Sequence, residues 1–145
     1  MSARTTLWIL AALLAGAALV PVRSLDCPSW DVWVADQTGQ PIGGATVRVS
    51  FRNYSAESKS HEVDETTDAL GHVAFAPQTM SASVGSRIGV TLLSAMAGVH
   101  ASFGSHATVF AFAQGHQGFD VDRQRNTLVE WTGKPSHMES RITLQ

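Results

Sequence analysis

Asp36-Gln37-Thr38-Gly39-Gln40-Pro41-Ile42-Gly43-Gly44-Ala45-Thr46-Val47 is the stretch whose reading decides the fold. Before it, Val32 and Val34 alternate with Trp33 and Ala35; after it, Ala45, Val47, Val49 and Phe51 alternate with Thr46, Arg48, Ser50 and Arg52. A two-residue hydrophobic period marks strands buried on one face. Between them, Asp36 can accept a backbone N–H within a turn, and Gly39 can take the positive φ needed to leave it. Pro41 has no donor and suits a chain passing from one ladder to the next. Gly44 closes the passage. The segment predicts two strands joined by a tight connection.

The same device recurs at Thr67-Asp68-Ala69-Leu70-Gly71-His72-Val73-Ala74-Phe75, where Asp68 and Gly71 repeat the spacing of Asp36 and Gly39. Expected strands run over Trp30–Asp36 and Ala45–Arg52, then through the Thr67–Phe75 segment with Val73 and Phe75 pointing one way, then over Ser86–Ser94, Gly98–Phe103, Ala107–Ala113, Leu128–Trp131 and Ile142–Leu144. Pro77 ends the third. Gly104-Ser105 is expected to join its neighbours in a type II′ hairpin. Leu93, Met96 and Ala97 also stand at helical spacing, so a helical turn competes with the end of the Ser86–Ser94 strand. The charged stretch Asn53–Glu65 reads as a surface loop or an edge strand, for which charge blocks unwanted pairing. The expected architecture is all-β: a Greek-key β-sandwich of about seven or eight strands.

The amino terminus reads as a secretory signal peptide over residues 1–24. Arg4 supplies positive charge, Leu7–Val20 is uncharged and apolar, and Val22-Arg23-Ser24 places small residues suited to cleavage after Ser24. Fourteen residues of helix span about 21 Å, short of the roughly 30 Å bilayer core. An uncleaved anchor is the competing reading. The expected mature chain, residues 25–145, is one domain, secreted or periplasmic, with no membrane span after cleavage. Losing Arg4 and Arg23 leaves eight basic against twelve acidic side chains, a net charge of −4. With no basic stripe, nucleic acid is not an expected partner.

Cys27 is the only cysteine, which excludes an intrachain disulfide. A free thiol, an intermolecular disulfide and lipidation are the alternatives. Asp26 suits lipidation poorly, and a small residue near a frayed terminus is the plain reading.

The strand Val32-Trp33-Val34-Ala35-Asp36, the following Gly39-Gln40-Pro41-Ile42-Gly43-Gly44-Ala45-Thr46-Val47 and the segment Thr67–Phe75 together resemble the carboxypeptidase regulatory-like domain. The resemblance spans about residues 31–94 and implies a transthyretin- or prealbumin-like sandwich. Its turn residues, Asp36, Gly39, Pro41, Gly44, Asp68 and Gly71, are structural and carry no chemistry. Such modules usually accompany a peptidase or an outer-membrane receptor, so the fold does not imply one biochemical role.

No catalytic set is complete in the sequence, and no cofactor or metal is assigned. Six histidines (His61, His72, His100, His106, His116 and His137) are spread along the chain. His61, Glu62 and Asp64 could hold a cation weakly, and across the expected hairpin His100 would face Val109, displaced from His106. Intradiol dioxygenases resemble this fold but hold iron with two tyrosines and two histidines, and Tyr54 is the only tyrosine here. Hydroxyisourate hydrolases end in a tyrosine-bearing tetrapeptide, whereas this chain ends Ile142-Thr143-Leu144-Gln145. Ser94, Ser102 and Ser105 lack a nucleophile-elbow context.

Binding is the expected function. The sequence points to a non-enzymatic module for protein binding or assembly at the cell envelope, its partner an unknown protein or glycan. The alternatives are a carbohydrate-binding module using exposed tryptophans, and a divergent metalloenzyme. Trp33, sent outward by alternation, and Trp131 are the possible ligand contacts. Trp33 packed beneath the Asn53–Glu65 segment is the competing placement. Ala107–Ala113, long and apolar, is expected in a sheet interior; at an edge it would accept a partner strand.

Overall fold

The computed structural model describes residues 2–96, 98, 102–122 and 127–145. They form helix α1 (Ala3–Ala18), β1 (Pro21–Cys27), β2 (Ser29–Ala35), β3 (Thr46–Asn53), β4 (His61–Thr66), β5 (His72–Phe75), β6 (Gln78–Ser83) and helix α2 (Val84–Ala95). Then follow β7 (Ser105–Ala113), β8 (His116–Phe119), β9 (Val121–Asp122), β10 (Thr127–Leu128), β11 (Glu130–Trp131) and β12 (His137–Thr143). The chain is mostly β. One sheet runs β11-β7-β3-β4, with β8 also paired to β7; a second runs β12-β2-β5. In the second, β12 lies parallel to β2 and β5 antiparallel to it.

The alternating valines do what their period dictates. Val32 and Val34 of β2 and Val47 and Val49 of β3 are fully buried. They join Trp30, Val73, Phe75, Val109, Trp131 and Ile142 in one core shared by both sheets. Each such valine contributes roughly 1.5–3 kcal/mol by leaving water. Strand β7 lies in the sheet interior, paired along its length with β3. The charged segment after Asn53 ends in β4, an edge strand whose Glu62 and Asp64 both pair with Arg48.

Both aspartate turns are built alike. Asp36 Oδ1 accepts from the Thr38 amide at 2.8 Å, the Thr38 hydroxyl at 2.7 Å and the Gln40 amide at 3.0 Å. The Thr38 hydroxyl first, then the Gln40 amide, holds this carboxyl below its usual range. Asp68 Oδ1 accepts from the Leu70 and His72 amides, each at 2.9 Å. The turns also pack on each other, for Gly71 O accepts from Val34 N at 2.8 Å and Val34 O from Ile42 N at 3.0 Å. Gly71, at φ +72°, leaves no room for a side chain there.

Several expectations need correction. The segment Ser86–Ser94 is not a strand but most of α2, nucleated by the Ser83 hydroxyl accepting from Ser86 N at 3.2 Å. Four strands were not expected, β1, β6, β8 and β9, of which β1 and β6 pair antiparallel from Pro21↔Ser83 to Leu25↔Thr79, and the expected Leu128–Trp131 strand is divided between β10 and β11. Strand β1 therefore crosses the junction after Ser24. Ser102 and Phe103 lie outside any strand, so Gly104-Ser105 does not join two strands in a hairpin. Val99, His100 and Ala101, and with them the expected His100–Val109 facing, lie outside the described residues. The last strand, β12, begins five residues before the expected Ile142 start.

Cys27 is buried in the core rather than frayed. Beside it, buried Asp26 accepts from Asn53 Nδ2 at 2.8 Å, Ser24 Oγ at 2.9 Å and Ser105 Oγ at 3.0 Å. Those three donors compensate the removal of a carboxylate from water. Among the described residues, no helix is long and apolar enough to cross a membrane.

Candidate functional site

A concavity lies where the Asp36 turn, the β7–β8 connection and the last residues of the chain meet. It encloses about 590 Å³ and is open to solvent, within the size range of small-molecule sites. Ile42, Phe112 and Leu144 supply apolar wall, while Gln37, Gln114 and His116 supply hydrogen-bonding groups. Asp36 is the one acidic side chain in the lining, its Oδ1 already accepting three hydrogen bonds inside the turn, and no lysine or arginine is among the lining residues. With that carboxylate engaged, the wall suits an uncharged, partly apolar ligand with one or two polar groups.

Local sequence explains the frame. Leu144 N donates to Ala35 O at 2.9 Å and Gln145 N to Gln117 O at 3.1 Å, so the carboxyl terminus is laid between β2 and β8. On the opposite rim, Ala113 pairs with His116 across a two-residue turn, Gln114-Gly115. Both turn residues have positive φ, +48° at Gln114 and +83° at Gly115, the requirement of a type I′ hairpin. Among the described residues Gln114 is the one non-glycine with positive φ. Left-handed backbone costs an ordinary side chain roughly 1–2 kcal/mol, and retained strain of this kind concentrates at functional sites. Sequence reasoning missed this cavity. The dipeptide Gln114-Gly115 after an alternating apolar run was its one local signal.

The two tryptophans separate. Trp33 faces outward and half-buried, as alternation predicts. It is not covered by the Asn53–Glu65 segment: the His72 ring lies 5.0 Å from it and the Arg141 guanidinium 5.5 Å above its face. Trp131 is 1% exposed and cannot contact a ligand. Its Nε1 donates to Pro135 O at 2.5 Å within the core wall. That placement corrects Trp131 as a candidate.

The structure does not gather His61, Glu62 and Asp64. His61 Nε2 meets Glu57 Oε2 at 2.6 Å, and its ring stacks on Phe51, whereas Glu62 and Asp64 belong to Arg48. His106 bonds Glu130 at 2.8 Å and the Phe103 carbonyl at 3.0 Å. His72 and His137 both approach Asp31, at 2.7 and 3.6 Å.

No protein-family profile matches the chain, and no curated protein matches it. Solved structures similar to it include the 3-chlorocatechol 1,2-dioxygenase of Rhodococcus opacus 1CP, at 16% identity and a TM-score of 0.46 over 84% of this chain and 61% of that one. The catechol 1,2-dioxygenase of Acinetobacter radioresistens is similar at 17% identity and a TM-score of 0.39, over 83% of this chain and 52% of that one. The catechol 1,2-dioxygenase of Pseudomonas arvilla C-1 gives 16% and 0.36, over 94% and 67%. The chain thus spans only 61% and 52% of the first two enzymes.

These neighbours correct the functional expectation. By name they are dioxygenases, which runs against the expected non-enzymatic binding or assembly module. TM-scores of 0.46 and below transfer no activity to this chain.

Proposed function

We propose that this chain captures a small, uncharged, partly apolar molecule in the cavity between the Asp36 turn and the Gln114-Gly115 turn. The observation that carries the reading is the pairing of an apolar wall, Ile42, Phe112 and Leu144, with a rim held in strained backbone at Gln114. Apolar wall supplies affinity by burial, and a few fixed polar groups supply orientation. His116 and Gln114 can each donate and accept, so hydroxyl- or amide-bearing rings are the matching class.

We further propose that the chain is exported, with residues 1–24 as its signal peptide, and that it is a transthyretin-type Greek-key sandwich like the carboxypeptidase regulatory-like domain. The paired Asp36 and Asp68 turns support that assignment.

Thermal unfolding in the presence of a panel of neutral aromatic and alicyclic alcohols and amides tests the capture. Binding to the folded state raises the midpoint, and the rise grows logarithmically with ligand concentration above the dissociation constant. Ala113→Trp, which fills the cavity, should abolish the rise. Rises that persist undiminished in a folded Ala113→Trp protein contradict the reading.

A further inference from the structure

Helix α2 is amphipathic in reverse. Its half-buried side, Val84, Arg87, Val90, Thr91 and Ser94, carries its polar contacts to the domain. Arg87 Nη2 donates to Val22 O at 3.0 Å and to Ser24 Oγ at 2.9 Å, and Ser94 Oγ donates to Tyr54 O at 3.3 Å. Ile88, Leu92 and Met96, each four residues after the last, form the outward stripe with Leu93 beside them. They are 54%, 62%, 83% and 70% exposed, and no residue of α2 is buried. Single exposed leucines are ordinary, whereas a contiguous apolar stripe marks a contact surface.

The surroundings of the stripe decide what it contacts. Residues 88–119 contain no Asp, Glu, Lys or Arg, so the stripe lacks the charged rim that frames a protein–protein contact. Helix α1 abuts the base of α2. Val84 N donates to Val20 O at 3.0 Å, and a Cβ on Gly85 would stand 3.2 Å from Ala18 O. Along α1, which has no charged residue after Arg4, Leu7, Trp8, Leu10, Leu13 and Leu14 are all more than half exposed. One corner of the molecule thus presents two neighbouring helices with uncharged, apolar outer faces.

Length fixes the mode of contact. The 12 residues of α2 make about 18 Å of helix, well short of the roughly 30 Å hydrocarbon core. Such a helix lies along a bilayer surface and does not span it.

We propose that α2 docks the protein on a lipid bilayer, laying Ile88, Leu92, Leu93 and Met96 among the acyl chains just beneath the headgroups. The choice of a membrane rests on the export reading above, in which α1 is the segment that enters the bilayer; the outward stripe itself does not. Apolar burial drives the contact, so it needs no anionic lipid and survives high salt.

A fluorophore placed on α2 tests the docking. Cys27 is buried, so Ala95→Cys, on the exposed side of α2, can be labelled alone in the folded full chain. Emission of an environment-sensitive label there should shift blue with phosphatidylcholine vesicles, stay shifted at about 1 M salt, and be quenched by lipids brominated on their acyl chains. The same label at Glu139→Cys, on β12, should not respond. Leu92→Asp should weaken partitioning at least about 10-fold. With Leu13→Asp and Leu14→Asp in α1, the Ala95→Cys label should still shift at saturating lipid.

A label that stays in water beside vesicles overturns the proposal. So does a shift lost with the two α1 substitutions but kept with Leu92→Asp, which assigns the binding to α1. A shift that needs no lipid, grows with protein concentration and accompanies a dimer in sedimentation overturns it in favour of a second copy. Intact mass of the exported protein tests the leader separately: retention of residues 1–24 overturns the signal-peptide assignment and leaves the α2 readout standing.

Discussion

Gly71 lies so close to Val34 that a Cβ on it would stand 2.4 Å from the Val34 carbonyl oxygen. That oxygen is already held by Ile42 N, and Gly71 returns a bond through its own carbonyl to Val34 N. The contact joins the two aspartate turns, and through the Ile42 amide it holds one of the residues that line the cavity. Gly71→Ala combines left-handed backbone with a clash against backbone, and should destabilise by roughly 2–4 kcal/mol. Gly39, at φ +85° but with open space around its Cβ position, should cost only about 1–2 kcal/mol when changed to alanine. Urea unfolding of the two variants checks the ordering.

Burial pushes the Cys27 thiol up to about 12, with the Asp26 charge adding to the effect. At pH 8 only about one thiol in ten thousand is then ionised, and the thiolate is the reactive form. The native protein should therefore resist a disulfide reagent at pH 8 and react with one equivalent after denaturation. Rapid reaction of the folded protein would show that the β1 strand opens readily.

Asp120 should make stability depend on pH in the unusual direction. Desolvation raises its folded value above the ordinary aspartate value, and the Ser140 hydroxyl only partly offsets this. The folded state thus holds the proton more tightly than the unfolded state. Its stabilising share is present below the ordinary carboxylate range and is lost as pH rises through the raised folded value. Asp120→Asn keeps an acceptor for Ser140 without the charge. The variant should gain on the wild type as pH climbs from about 3 to about 7, measured by thermal melts across that range.

Gln114 should show stability and capture pulling apart. Gln114→Gly relieves the positive φ of 48° and should stabilise the fold by about 0.5–1 kcal/mol. It also removes a polar group from the cavity rim, so ligands that raise the wild-type melting midpoint should raise the variant's less. Equal ligand response in both proteins would remove Gln114 from the binding surface.

Local pattern carries much of this fold and little of its site. The alternation in Val32–Val34 and Val47–Phe51, both Asp-x-x-Gly turns and the apolar interior strand β7 are all legible from neighbours in sequence. Helix α2 is not, because Ile88, Val90 and Leu92 also alternate. What decides it is the Ser83 cap. Strands β1 (Pro21–Cys27) and β6 (Gln78–Ser83) carry only scattered apolar residues, Val22, Leu25 and Cys27 in one and Met80 and Ala82 in the other, so their pairing emerges only when distant segments meet. Trp131 sits in a strand of two residues, too short to carry a phase, and its burial follows from β7 instead. The cavity gathers side chains from three separated segments, which no periodicity records. Trp33 is the exception among site residues, sent outward by the period that buries Val32 and Val34.

The most direct test of capture is a ¹H–¹⁵N NMR titration of the labelled protein with the alcohol or amide giving the largest thermal shift. The account predicts saturable perturbations confined to the cavity, at Ile42, Gly43, Gly44, Ala113, Gln114, His116 and Leu144. Perturbations scattered over the surface, centred elsewhere, or absent for every member of the panel would contradict it.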